Sequence, residues 1–236
     1  MRKKMISQEV LKLIACVTML IDHIGAAIVP TLPVPYMVDL YYACRIIGRL
    51  AFPIYGFLLA EGMRHTRNPG KYILRLGIGI LLAELPFDLL FEGGFTWESQ
   101  SVMVTLALGA GMLWSMGKTE NYAVKLLLTI PFAVLAEFMK CDYGLWGIAM
   151  IAVFALTDRW PVQLLFLFWV NWQLQSAEIP ILGISVSVQL FATAAILPIQ
   201  LYSGKKLTHS RAVQWAFYLF YPVHLLILWL ILAFLR

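Results

Sequence analysis

The chain is a succession of long apolar runs, each broken by a short polar or proline-rich stretch. A helix needs about 20 apolar residues to cross a bilayer, within a range of roughly 17–25. The runs predict about nine such helices, over 10–29, 41–63, 71–91, 101–117, 121–139, 143–157, 161–175, 181–202 and 211–235. The first stops at Pro30, and the loop TLPVPYMVD beyond it adds Pro33 and Pro35. Pro161 stands where proline is favoured, at a first helical position. No internal repeat, low-complexity tract or soluble domain interrupts the series. The expectation is an all-α, polytopic transmembrane helix bundle forming a single domain over residues 1–236.

Composition points the same way. Of 236 residues, 61% are hydrophobic and only 13% charged, and the mean hydropathy is +0.80; a soluble domain carries about 25% charged residues. The first run follows Arg2, Lys3 and Lys4, as a signal peptide would. It is too long for a signal core and lacks a small-residue cleavage site, so it reads as a retained helix. Charge then sets orientation. With the N-terminus in the cytoplasm, only Arg45, Arg49, Lys140 and Arg236 of the 18 lysines and arginines fall on the outer side. That asymmetry obeys the positive-inside rule, and nine crossings put the C-terminus outside. The net charge of +5 is therefore an orientation signal and not a nucleic-acid footprint. Cys16, Cys44 and Cys141 show no metal-binding spacing.

Ionisable residues inside apolar runs are costly and mark candidate functional sites. Asp22 and His23 stand side by side in CVTMLIDHIG. Lys12 and His23 are eleven residues apart, which returns them to one helix face about 16 Å apart. Asp22 points about 100° away, suited to holding a neighbouring helix or to reaching His23 through another group. Arg45 and Arg49, four apart, share a face, as do Glu84 and Asp88. Their similar depth predicts a buried ion-pair network of two arginines and two carboxylates, either purely structural or with one member also facing a substrate. Glu137 and Asp142 flank a tight turn in AEFMKCDYGLWG and either hold it or touch substrate. His224, just after Pro222, is either a hydrogen-bonded core residue or a cavity residue. His65 and His209 read as surface residues of inner loops. The loop MRHTRNPGKYILR gathers Arg64, Arg67, Lys71 and Arg75, either as orientation charge alone or as a phosphate site. A histidine titrating near neutrality can take the proton of an attacking amine or hydroxyl. No Walker loop, GxSxG or HExxH motif is present.

The segments IDHIG, RIIGRLAFPIYGFLLAEG, RLGIGILLAELPFDLLF, SVMVTLALG, CDYGLWGI and YPVHLLIL together resemble the TraX family, over nearly the whole chain. That family takes its name from a membrane protein that N-acetylates a conjugative pilin. It is related more distantly to the integral-membrane acyltransferase-three family, whose first helix carries a basic residue, ten residues and then a histidine; Lys12 and His23 fit that spacing. The resemblance implies a multi-pass enzyme of the bacterial cytoplasmic membrane. It would move an acetyl group from cytosolic acetyl-CoA, its acyl donor, to an amine or hydroxyl of a membrane or extracytoplasmic acceptor. His23 would be the general base, with Asp22, Glu84 or Asp88 orienting it or the acceptor. Arg45, Arg49, Glu84, Asp88, Glu137, Asp142 and His224 would face the acceptor. Lys12, Arg64, Arg67, Lys71 and Arg75 would face CoA. The resemblance does not choose between a peptide, glycan or lipid-linked acceptor, and no metal or nucleic acid is expected. Two other readings compete. A small transporter or flippase needs a similar ionisable cavity, but no inverted repeat is visible. A non-catalytic scaffold explains ion pairs but not His23 beside Lys12.

Overall fold

The computed structural model describes residues 5–174, 176–181, 183–208 and 210–235, with the backbone alone at Arg211. Arg2, Lys3, Lys4, His209 and Arg236, placed above by charge or loop position, lie outside the described residues.

Helix α1 spans Gln8–Ala27, and the Ser7 side chain accepts from the Val10 N–H at its start. It gives way to a 3₁₀ turn, Val29–Thr31, where Pro30 ends the α-helical ladder. The second apolar run begins earlier than its pattern predicts and is broken at residues 49–50 into α2 (Met37–Gly48) and α3 (Ala51–His65). Helix α4 (Pro69–Phe91) starts on a proline and is capped by Asn68, whose Oδ1 accepts from the Lys71 N–H at 2.9 Å. Helices α5 (Val102–Met116), α6 (Tyr122–Phe138), α7 (Gly144–Leu156) and α8 (Trp160–Gln173) follow within a few residues of expectation. The last helix, which becomes α10 below, is Arg211–Leu235.

The helix expected over 181–202 is corrected. Strands β1 (Glu178–Ile181) and β2 (Ile184–Ser187) form an antiparallel hairpin there, followed by a 3₁₀ stretch, Val188–Ala195, and a short helix α9, Ile196–Gln200. The segment EIPI–GISVS is rich in β-branched residues. It turns at Gly183, whose φ of 82° is open to glycine at little cost. Apolar content alone did not distinguish this pattern from a helix. A 3₁₀ helix rises about 2.0 Å per residue against about 1.5 Å for an α-helix. The thirteen residues Val188–Gln200 therefore cover roughly 24 Å. They run from Gln189, beside Arg49, to a bridge between Tyr202 and Ile6. The chain thus still crosses the bundle at this point, and α10 starts at the end where α1 starts.

Helix α1 packs on α2, α3 and α10, and α10 also packs on α4. Helices α3 and α7 pair near the middle, with Ile54, Leu58 and Leu59 facing the layer of Ile148, Ile151 and Phe154 in one buried cluster. The outside is also apolar. Leu81, Leu127, Phe138, Leu165 and Phe234 are all exposed, on α4, α6, α8 and α10. Soluble proteins rarely leave such faces uncovered. The segments Gln8–Thr31, Met37–His65 and Ala212–Leu235 are long and apolar enough to cross a membrane.

Candidate active site

Helices α1 and α10 bring His23 and His224, 201 residues apart in sequence, into direct contact. His23 Nδ1 lies 2.7 Å from His224 Nε2. His224 Nδ1 lies 2.7 Å from the backbone oxygen of Phe220. Phe91 and Tyr221 stand edge-on to the His23 ring at 5.4 and 6.1 Å. His224 is buried. This pair joins two residues that the sequence singled out separately, and the pairing itself carried no sequence signal.

A cavity of about 650 Å³ runs from the end of the bundle that holds the start of α1 towards this pair. On α1 its wall extends from Gln8 to Met19, a depth of about 16 Å at the helical rise. Its mouth carries Glu9, Glu61, His65, Lys205 and Lys206. The mouth loop is tied to α1 because Glu9 accepts from the Leu207 and Thr208 N–H groups. Deeper in, Lys12 lies over the Phe217 ring at 5.3 Å, and the Arg75 guanidinium sits between Tyr72 and Tyr218 at 5.5 and 5.9 Å. Neither cation closes an ion pair among the described residues, and Arg75 Nε is buried without a hydrogen-bond partner. Beyond them the wall is apolar, with Met19, Leu76, Met103 and Leu106, and it ends at Tyr221. Tyr221 also stands edge-on to His224 at 5.5 Å, so one aromatic ring separates the cavity from both imidazoles.

Of the four lysines and arginines of the basic loop, only Arg75 lines this cavity. Arg64 instead donates to Asp158 and to the Phe154 and Ala155 carbonyls at the end of α7. Arg67 and Lys71 are exposed and lie outside the lining. Lys205 and Lys206, read from sequence only as orientation charge, take their place.

The arginine pair is also placed differently from expectation. Arg45 and Arg49 do share a face, but both guanidiniums grip Asp22, at 2.8 Å each, and not Glu84 or Asp88. Gly48 explains the choice of partner. A Cβ there would lie 2.1 Å from Asp22 Oδ1, so only glycine lets α1 approach α2 closely enough for the carboxylate to reach both arginines. Glu84 is held elsewhere, accepting from the Ser101 hydroxyl at 2.5 Å and from its N–H. Asp88 accepts from the Thr96 N–H at 3.2 Å. Arg49 also donates to Gln189 Oε1, and Gln189 in turn donates to the buried Asn171.

This network forms one wall of a second cavity, of about 290 Å³, at the opposite end of the bundle. Tyr41, Tyr42, Arg45, Arg49, Asp142, Tyr143 and Gln189 line it. Asp142 and Tyr143 come from the α6–α7 turn, where Tyr143 adopts a left-handed backbone with φ of 64°. Such a conformation costs a non-glycine residue energy and often accompanies function. Glu137 does not reach the cavity; its Oε2 accepts from the Leu145 N–H and caps α7. Among the described residues, no cluster of three or more His, Cys, Asp or Glu is set to hold a metal ion.

Comparison with known proteins adds a family. The family model described as TraX protein matches residues 7–232. The chain is 29% identical over 234 residues to a probable fimbrial assembly protein FimC, serogroup H1, of Dichelobacter nodosus, an alignment covering 92% of each protein. No solved structure matches.

Proposed function

We propose that this chain, which belongs to the TraX family, is an acetyltransferase of the bacterial cytoplasmic membrane. It would take the acetyl group from cytosolic acetyl-CoA and pass it to an amine or hydroxyl on an acceptor that approaches from the other side. The observation that carries this reading is the larger cavity: Lys205 and Lys206 at a mouth shared with Glu9 and Glu61, two cations part-way in that close no ion pair among the described residues, and an apolar end at Tyr221, against the two histidines. Anionic phosphates suit Lys205, Lys206, Lys12 and Arg75, since hydrogen bonds between charged partners are about twice as strong as neutral ones. The narrow remainder suits an uncharged pantetheine arm reaching towards Tyr221, whose ring turns aside for the thioester to meet His23.

In the transfer, His23 takes the proton from the attacking nitrogen or oxygen as that atom bonds to the thioester carbonyl carbon. The carbon–sulfur bond then breaks, and the departing CoA sulfur receives the proton back from the imidazolium. Asp22 does not serve as the carboxylate partner of His23; it holds Arg45 and Arg49 beside the outer cavity. That cavity, with Arg45, Arg49 and Asp142 in its wall, is where the acceptor binds. Glu84, Asp88 and Glu137 support the surrounding turns. The fimbrial-assembly name of the relative favours a protein acceptor such as a pilus subunit over a glycan or a lipid-linked group.

The test is turnover of labelled acetyl-CoA by purified protein, with CoA binding measured alongside. His23→Gln keeps polar volume but cannot take the proton. It is expected to lose on the order of 10²–10⁴-fold in turnover while binding CoA as wild type does. Near wild-type turnover ends the base assignment.

A further inference from the structure

We propose that His224 is a positioning residue that fixes His23 in the single tautomer able to act as a base. The inference rests on the reading of His23 as general base and goes beyond it.

One backbone carbonyl fixes the positions of the protons. A backbone carbonyl oxygen only accepts hydrogen bonds, so the 2.7 Å contact from His224 Nδ1 to Phe220 O places a proton on Nδ1. In a neutral imidazole the other nitrogen is then an acceptor. His224 Nε2 therefore carries a lone pair, and it faces His23 Nδ1 at 2.7 Å. That contact is a hydrogen bond only if His23 Nδ1 supplies the proton. His23 Nε2 is left bare, which is the state a general base needs.

Ring geometry supports this. The two imidazole planes lie within 6° of each other, with centroids 5.0 Å apart. The centroids are farther apart than the nitrogens by about the radii of two rings, so the rings lie end to end in a common plane. The donor N–H thus aims along the acceptor lone pair, where such a bond is strongest. The alternative, a proton on His224 Nε2, turns His23 Nδ1 into the acceptor, leaves the proton of His23 on Nε2 and removes the base. It also places a charge on His224, against Phe220 and Tyr221, with no carboxylate paired to it among the described residues. When His23 takes a proton on Nε2, its Nδ1–H still donates to His224, so nothing has to rearrange during transfer. The arrangement gives His23 the orientation that a carboxylate gives the histidine of a catalytic triad, using a neutral acceptor in a region poor in water.

Two variants at His224 separate this role from a structural one. His224→Gln puts an amide oxygen where Nε2 was and keeps an acceptor for His23. His224→Leu fills the space without one. The turnover number of His224→Leu is expected to fall on the order of 10²-fold or more, as wrong-tautomer variants of triad enzymes do, with the KM for acetyl-CoA unchanged. His224→Gln is expected to recover most of the loss. Nitrogen NMR of histidine-labelled wild-type protein in detergent is expected to show His23 protonated at Nδ1 and bare at Nε2, and His224→Leu to show a mixture. Equal loss in the Leu and Gln variants overturns the proposal, and so does a wild-type spectrum with the proton of His23 on Nε2. Undiminished turnover in His224→Leu beside an inactive His23→Gln overturns it too, while leaving His23 as base. Activity in His23→Gln removes the base reading first. The NMR arm needs only wild-type protein, so it decides the matter even where a variant fails to fold.

Discussion

The two cavities are lined by the same materials, cations and aromatic rings, yet hold their cations in opposite ways. In the outer one, Arg45 and Arg49 are both clamped on Asp22, and Arg49 is held a second time by Gln189. In the inner one, Lys12 and Arg75 rest against aromatic faces and close no ion pair among the described residues. Cation–π contacts orient a charge but leave its hydrogen-bond donors unspent. The outer arginines are therefore part of the wall, and the inner cations remain open to an anionic ligand. Depth along the helix, which is what sequence reports, does not distinguish the two cases; the neighbour does.

The comparison is broken most severely at Asp22. Asp22→Ala leaves two part-buried guanidiniums facing each other, and loss of one partner of a buried pair costs about 3–5 kcal/mol. Thermal unfolding in detergent is expected to shift down accordingly, and the added loss in Asp22→Ala/Arg49→Ala is expected to fall well short of additive. A wild-type unfolding temperature for Asp22→Ala means that the network does not join α1 to α2. The inner cations call for the opposite result. Arg75→Ala is expected to leave unfolding unchanged and to weaken CoA binding by roughly 10–100-fold, corresponding to the about 1.5–3 kcal/mol of a hydrogen bond to a charged group. Unchanged CoA affinity would put Arg75 in the wall beside Arg45 and Arg49. The smallest effect belongs to Arg67→Ala. This residue is exposed and outside the lining, so stability is expected to stay within about 0.5 kcal/mol and CoA affinity to remain unchanged. A loss matching that of Arg75→Ala would mean that the loop, not the cavity, holds the donor.

Much of the helical layout was legible in the chain because apolar runs with prolines and caps at their ends report helices directly. Pro30 at the end of α1 and Pro161 at the start of α8 are instances. The hairpin at 178–187 was hidden because Ile and Val suit a buried helix and a strand alike, and only the Pro180 and Gly183 punctuation hinted otherwise. At the site, helical spacing put Lys12 and His23 on one face of α1, and Arg45 and Arg49 on one face of α2. Matched depth named Glu84 and Asp88 as the partners of these arginines, and it failed because depth does not report which carboxylate stands beside them; Gly48, by admitting α1, selects Asp22. The contact between His23 and His224 spans 201 residues and leaves no periodic trace. Arg75 differed from Arg64 and Arg67 by one visible feature: it lies inside an apolar stretch, RLGIGILLAE, where an arginine needs a reason to be.

The 3₁₀ stretch Val188–Ala195 bears on how the molecule breathes. Such runs seldom exceed three or four residues because their hydrogen-bond geometry is poor, and this one extends over eight. Stretches with weak ladders open locally before the packed core does. Its amides are thus set to exchange with deuterium ahead of those in α3 and α7, and each opening frees Gln189 from Arg49 and Asn171. Such an opening loosens the wall of the outer cavity, which Val188 and Gln189 help to line. Access to that cavity would then follow the local stability of this one stretch.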